Sequence, residues 1–171
     1  EIKERLRYFT TAIRDGLDRM VATSLIEAMS TVVSDATDSG EKQAPPLIDE
    51  LVDSYEVHTQ QFLTQEAENV TKLIDATRKA AGQGEAGVRP LIAKISEVAR
   101  KWDSVAQPIQ LSAKARGIKH EPSSELGYAI RSLSIDLSND HGMFEQSKKL
   151  TDLIGDIFAE LPDLAERVEQ D

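Results

Sequence analysis

The sequence predicts an all-α protein, an elongated antiparallel bundle of about five helices, with the first two long and the third kinked at a proline. Apolar side chains recur every three or four residues along most of the 171 positions, the spacing of one face of an α-helix. No stretch shows sustained alternation of β-branched residues, so no sheet is expected. Long helices joined by short loops favour an up-and-down bundle, and an elongated helical solenoid is the alternative.

The first helix is predicted over positions 2 to about 36. At about 1.5 Å per residue it would be ~50 Å long, so we expect other long helices to cover its apolar stripe. The cluster Asp38-Ser39-Gly40 and the pair Pro45-Pro46 end it, because proline lacks the amide donor and disfavours helical geometry in its predecessor. The stripe comprises Ile2, Leu6, Phe9, Ile13, Leu17, Met20, Leu25, Ala28 and Val32.

The second and third helices follow from two more apolar stripes. One runs from Leu47 to Thr77. A flexible loop that contains Gly82, Gly84 and Gly87 closes it. The next stripe runs from Val88 to Ile109 and includes Pro108, which should kink or break the helix near Ser104 by removing one backbone hydrogen bond.

Two shorter helices are predicted in the last third of the chain. After a loop from Gly117 to Pro122, Ser123 or Ser124 is expected to cap a fourth helix. That helix stops at Asn139-Asp140-His141-Gly142, because Asn and Gly accept the left-handed conformation.

A fifth helix is predicted to begin near Met143 and to carry Phe144 in its apolar stripe. Pro162 then starts a short last turn, in which Asp163 and Glu166 have the spacing of a capping box.

Composition and charge exclude several classes of function. With 20 Lys and Arg against 30 Asp and Glu, the net charge of −10 disfavours nucleic acid or anionic membrane as a partner of the whole protein. Any site for a polyanion would have to be local. The absence of cysteine excludes disulfides and thiolate metal ligands. No apolar run approaches the ~20 residues that span a bilayer, so no membrane insertion is expected.

Residues 1–171 are interpreted as a single soluble helical domain. The amphipathic pattern is already under way at Glu1, and the chain closes on the polar run Glu169-Gln170-Asp171. We therefore expect the chain to be a piece of a longer protein, in which a targeting or membrane segment can lie elsewhere.

Positive charge is concentrated in residues 88–122, which hold seven basic residues against three acidic ones. One interpretation is that this segment packs beside the acidic last helices, so that the two fields partly cancel. The other is a docking face for an acidic partner or a phosphate, in which Lys114, Arg116, Lys119 and His120 crown a loop.

The same segment contains the only tryptophan, in the run from Trp102 to Leu111. A buried Trp with a satisfied indole nitrogen, beside a proline kink that wraps a helix around the core, is one interpretation. In the other, the kink at Pro108 frees a backbone carbonyl, and Gln107 and Gln110 form a polar notch that receives a partner.

No pattern indicates catalysis, a metal or a cofactor. His58, His120 and His141 lie far apart, and none has the spacing of a helical metal-binding pair. Phosphate-binding, dinucleotide-binding and nucleophile-elbow motifs are absent. His58 is interpreted as a boundary residue of a packed face. The carboxylates Asp49, Asp53 and Glu56 share one helix face, and this is the basis of a third-ranked enzyme hypothesis.

Three runs, Lys101 to Leu111, Arg131 to Leu137 and Phe158 to Pro162, resemble helical regions that accompany J domains in bacterial DnaJ-like proteins. The resemblance covers about the last 75 residues, and the His-Pro-Asp of the J domain itself is absent. It implies an accessory helical region that binds clients or partners and performs no chemistry. It assigns no functional residue.

The sequence therefore predicts a non-catalytic helical protein-protein interaction or scaffold domain of a larger protein, located in the cytoplasm. The alternative is a small-ligand-sensing bundle of a membrane-anchored receptor. The expected partner is a protein, acidic in one interpretation, and a homodimer is open because periodicity does not separate burial within a chain from burial across a dimer. The predicted contact residues are Trp102, Gln107, Gln110, Lys114, Arg116 and Lys119.

Overall fold

The computed structural model describes residues 2–17, 19 and 22–159. These residues form six α-helices and no β-strand, so the all-α prediction is confirmed. The helices are α1 (Ile2–Leu17), α2 (Ala22–Thr37), α3 (Pro46–Ala81), α4 (Glu85–Ala115), α5 (Glu121–Asn139) and α6 (Phe144–Ile157).

Two helices stand where one long first helix was predicted. α1 ends at Leu17, directly after Gly16, and the Arg19 amide donates to the Gly16 carbonyl at 3.2 Å in a turn. Glycine loses more conformational entropy than any other residue when it is held in a helix, which favours an end at this point. The apolar period continues across the break, so periodicity alone did not reveal it.

The end of α2 is where the sequence predicts it. Asp38, Ser39 and Gly40 all have positive φ, at 51°, 56° and 85°. The Ser39 amide donates to the Ser34 carbonyl at 2.9 Å, and this bond satisfies one of the last carbonyls of the helix.

The two longest helices are α3 and α4. α3 ends just before Gly82, as predicted, but α4 begins at Glu85 and Gly87 therefore lies inside it, not in the loop. α4 also continues through Pro108 to Ala115 with no break. A proline removes one helical hydrogen bond, but Pro108 and its neighbour Ile109 are buried, and this packing favours the helical state.

α5 begins before the predicted caps. Its first residue is Glu121, and Pro122 lies in the first turn, where its missing amide has no helical partner to lose. Ser123 and Ser124 are therefore inside the helix and buried, and the prediction that one of them caps it is wrong.

The boundary between α5 and α6 agrees with the sequence. α5 ends at Asn139, Gly142 has φ of 64°, and α6 begins at Phe144. Phe144 itself is 70% exposed and does not belong to the buried stripe, because it is the first residue of its helix. Leu161, Pro162, Asp163 and Glu166 lie outside the described residues.

The chain divides into two compact units. Unit 1 comprises the described residues within Glu1–Gln61 and Ser104–Lys119. Its core holds Tyr55, whose phenol hydroxyl donates to the Val105 carbonyl at 2.8 Å, and burial raises the pKa of Tyr55 to about 12. The other buried apolar side chains of this unit are Leu25, Met29, Val33, Ala44, Leu51, Val52, Val105, Ala106, Ile109, Leu111 and Ala113.

Unit 2 comprises the described residues within Phe62–Asp103 and His120–Asp171. Here α5 packs on α6, and the Ser134 hydroxyl lies 3.0 Å from the Ser147 carbonyl at their contact. The apolar side chains of its core are aliphatic apart from Trp102 and Phe158, and the fully buried ones include Ile74, Ile92, Ile95, Ile130, Leu133, Leu137, Leu150 and Leu153.

Candidate functional site

Trp102 belongs to the core of unit 2. Its side chain is fully buried, and its indole N–H donates to the Leu63 carbonyl at 3.0 Å. The indole lies 6.2 Å from the Phe158 ring and 6.3 Å from the His120 ring, measured between centroids. A satisfied, buried Trp of this kind is a packing residue and presents no surface to a partner.

The predicted polar notch on α4 does not form as one surface. Gln107 is exposed, whereas Gln110 is 3% exposed and lies in the core side of the same helix. Three residues are less than one full helical turn, so the two side chains point in different directions. Here Gln107 faces solvent and Gln110 faces the core. Gln107 alone remains accessible.

The three predicted cations lie together at the end of α4, in unit 1. Lys114 Nζ is 2.5 Å from Glu41 Oε1, and Arg116 Nη1 is 3.4 Å from Asp53 Oδ1. Lys119 follows in the exposed loop after Gly117. Lys114 is thus paired with a carboxylate in the turn after α2, and Arg116 with a carboxylate of α3.

Gly40 permits the first of these ion pairs. It has φ of 85°, and a Cβ at this position would lie 2.8 Å from Cδ of Lys114. The turn and the lysine stem therefore lie so close together that a side chain at position 40 would displace the Lys114 stem. The glycine that ends α2 also brings Glu41 to the end of α4.

An apolar side chain lies in the same loop. Ile118 is 53% exposed, and its amide donates to the Ala113 carbonyl at 3.0 Å, which holds the loop against the end of the helix. Lys114, Arg116, Ile118 and Lys119 together are called the α4-end surface. Sequence reasoning missed Ile118 because an isolated apolar residue outside a helix has no periodicity to mark it.

His120 is not part of the α4-end surface. It is buried in unit 2, where its Nδ1 lies 2.6 Å from the Ser123 hydroxyl. Burial lowers the pKa of His120, because the charged imidazolium would be poorly solvated there.

The remaining basic residues of the segment 88–122 are also neutralised by nearby carboxylates. Arg100 pairs with Asp156 of α6 at 2.6 Å, and Lys101 lies 3.8 Å from Glu66 and 5.2 Å from the Phe62 ring centroid. Arg89 and Lys94 pair within α4 itself. The cancellation expected from the sequence is therefore real, but α3, α4 and the turn supply more of the carboxylates than the last helices do.

Two of the three carboxylates that share a face of α3 lie beside the last part of α4 and the loop after it. Asp49 accepts a hydrogen bond from the Ser112 hydroxyl at 3.5 Å, and Asp53 pairs with Arg116. His58 is exposed, not a boundary residue of the packed face. Within residues 2–17, 19 and 22–159, no three His, Asp or Glu side chains are grouped so that they could hold a metal ion.

Helix α1 presents apolar side chains that the sequence predicted to be covered. Phe9 is 59% and Ile13 is 38% exposed, so the expected cover of this stripe is wrong for both residues. The Tyr8 ring lies edge-on to Phe9 with 6.1 Å between centroids, and Glu4, Arg5, Tyr8 and Phe9 line a surface groove of about 570 Å³.

No protein-family model, curated protein or solved structure matches the chain. Of the helices in the described part of the chain, none is both long and apolar enough to cross a bilayer.

Proposed function

We propose that this chain is a non-catalytic helical interaction domain that binds an acidic segment of a protein partner through the α4-end surface. The observation that carries the proposal is the exposed Ile118 between the cations Arg116 and Lys119, in a loop anchored to a helix end. A small apolar centre with a polar rim is the general arrangement of protein-protein interfaces.

The geometry supports a preorganised contact. Glu41 and Asp53 restrain the Lys114 and Arg116 side chains, which reduces the conformational entropy lost when a partner binds. Both carboxylates are well exposed, so a stronger acidic ligand can share or replace them. The buried Arg116 Nε has no hydrogen-bond partner among the described residues, so Asp53 satisfies this guanidinium only in part.

We also propose that the helices pack as an antiparallel bundle. In unit 1, Asp49 meets Ser112 and Tyr55 meets Val105, so residue numbers rise along α3 as they fall along α4. Two helices that run this way bring the start of α3 and the end of α4 to one end of the unit. A scaffold of this kind presents a loop on rigid supports.

The test is affinity capture from extract of the source cell, followed by rebinding of each retained protein in purified form. We compare the wild type with Lys114→Glu/Lys119→Glu. We expect a partner that binds the wild type and loses about tenfold or more of its affinity with the variant, because two favourable charges become repulsive.

The matched control is Lys72→Glu/Lys79→Glu, which makes the same charge change on exposed positions of α3 in unit 2. Circular dichroism checks the folding of each protein, and Lys114→Gln/Lys119→Gln replaces the reversal if that variant does not fold. Equal loss with the control, or no partner that depends on the α4-end surface, would overturn the proposal.

The ligand-sensing alternative, the accessory role implied by the J-domain resemblance, the homodimer and the cytoplasmic location stay predictions. Thermal-shift screening of small ligands addresses the first of these, and sedimentation velocity addresses the homodimer.

A further inference from the structure

Helix α1 has an apolar face on which two side chains are exposed. Phe9 and Ile13 are four residues apart, so they lie one above the other on the same side of the helix, and both are exposed. The Thr10 hydroxyl of α1 donates a long hydrogen bond, 3.4 Å, to Glu50 Oε2 of α3.

The charge of α1 is opposite to that of the chain. Its sixteen residues include four basic and two acidic ones, a net charge of +2, whereas the whole chain carries −10. On a helix of 3.6 residues per turn, Lys3 and Arg5 fall on the two flanks of the face formed by Phe9 and Ile13.

The two acidic residues of α1 lie on its far side. Glu4 and Asp15 are eleven residues apart, close to three full turns, so they share a side that is turned away from Phe9 and Ile13. A helix with an apolar face, cations along its edges and acids on its back is typical of helices that lie in a lipid interface.

We propose that α1 binds the surface of an anionic lipid bilayer and lies in the plane of the interface. Phe9 and Ile13 enter the boundary between headgroups and acyl chains, and the stems of Lys3 and Arg5 reach outward so that their charges meet lipid phosphates. A bilayer fits this face better than a second copy of α1, whose flanks would bring like charges to like charges. This proposal concerns a different surface from the α4-end surface and does not depend on it.

The experiment is co-sedimentation of the full chain with vesicles. One set is phosphatidylcholine alone, and the other contains about 30% phosphatidylserine. We expect binding to the anionic vesicles that is at least about tenfold tighter than to the neutral ones and that weakens in about 0.5 M NaCl.

Two pairs of variants separate the parts of the face. Phe9→Ser/Ile13→Ser should lose binding by about tenfold or more, while the control Phe144→Ser, which removes a more exposed phenylalanine from α6, should not change it. Lys3→Glu/Arg5→Glu should lose binding to anionic vesicles, while Lys72→Glu/Lys79→Glu on α3 should lose far less.

Three outcomes would overturn the proposal. They are no sedimentation with anionic vesicles, equal binding to both vesicle types, and equal loss with the control variants. Sedimentation velocity without lipid provides the fourth check, because a dimer that Phe9→Ser/Ile13→Ser dissociates would show that a second copy covers the face.

Discussion

At the scale of single residues, two buried aromatic side chains donate to backbone carbonyls far along the chain. The Tyr55 hydroxyl donates to a backbone carbonyl at 2.8 Å, and the Trp102 indole N–H donates to another at 3.0 Å. An unsatisfied donor at either place would cost roughly 1–3 kcal/mol, so these bonds select one packing of each core.

His120 supplies a pH dependence. Its pKa is lowered by burial, so the unfolded chain binds more protons than the folded one as pH falls below about 6.5. The contribution of His120 to the free energy of unfolding should therefore be constant above neutral pH, fall as pH drops through about 6.5, and level off below the lowered pKa.

The measurement is urea unfolding of the wild type and His120→Asn between about pH 7.5 and pH 5.5. The difference in stability between the two proteins should shrink or reverse toward acid pH in favour of the variant, which cannot take up this proton. A difference that does not change with pH would contradict the prediction.

At the scale of elements, the turn after α2 both ends that helix and contacts Lys114, which is distant in sequence. Asp38, Ser39 and Gly40 all take the left-handed conformation, which ends the helix, and Gly40 also lets Lys114 approach. The same glycine therefore has both a conformational and a steric role.

Gly40→Ala should lower the free energy of unfolding by about 1–2 kcal/mol for the positive φ alone. The free energy of unfolding should fall further because the new Cβ would lie 2.8 Å from Lys114 Cδ and would displace the lysine side chain. Gly117→Ala is the control, since Gly117 has φ of 65° and no atom near its missing Cβ. If chemical denaturation shows that Gly40→Ala lowers the free energy of unfolding no more than Gly117→Ala does, the steric part of the prediction is contradicted.

At the scale of the whole chain, charge is segregated but locally neutralised. The net charge is −10, while residues 88–122 carry an excess of cations, most of which pair with carboxylates of the same unit. Ion pairs at such exposed sites contribute at most about 1 kcal/mol each, so their effect lies in orienting side chains more than in stability.

This charge distribution predicts that the intact chain does not hold duplex DNA. Fluorescence anisotropy of a labelled duplex at about 0.15 M salt should show a dissociation constant weaker than about 100 μM, because the net charge of −10 repels the phosphates and a small cluster of cations releases few counterions. Micromolar binding that weakens steeply with salt would contradict it, and an unrelated basic protein serves as the positive control.

Local patterns account for the helical class and for three of the helix ends. The ends at Asp38–Gly40, before Gly82 and at Asn139 depend on residues within a few positions, and the sequence predicts all three. The sequence did not reveal the break between α1 and α2, because the apolar period continues through it. It also misplaced the start of α5, because Ser123 and Ser124 resemble capping residues.

Burial and pairing were decided by the tertiary structure. Periodicity shows which residues share a face, but whether another helix covers that face depends on contacts between distant positions, and so Phe9 is exposed while Gln110 is buried. The same holds for charge. The sequence by itself determined that cations concentrate near the end of α4, whereas only the fold decided that Lys114 meets Glu41 and Arg116 meets Asp53, pairs more than sixty residues apart.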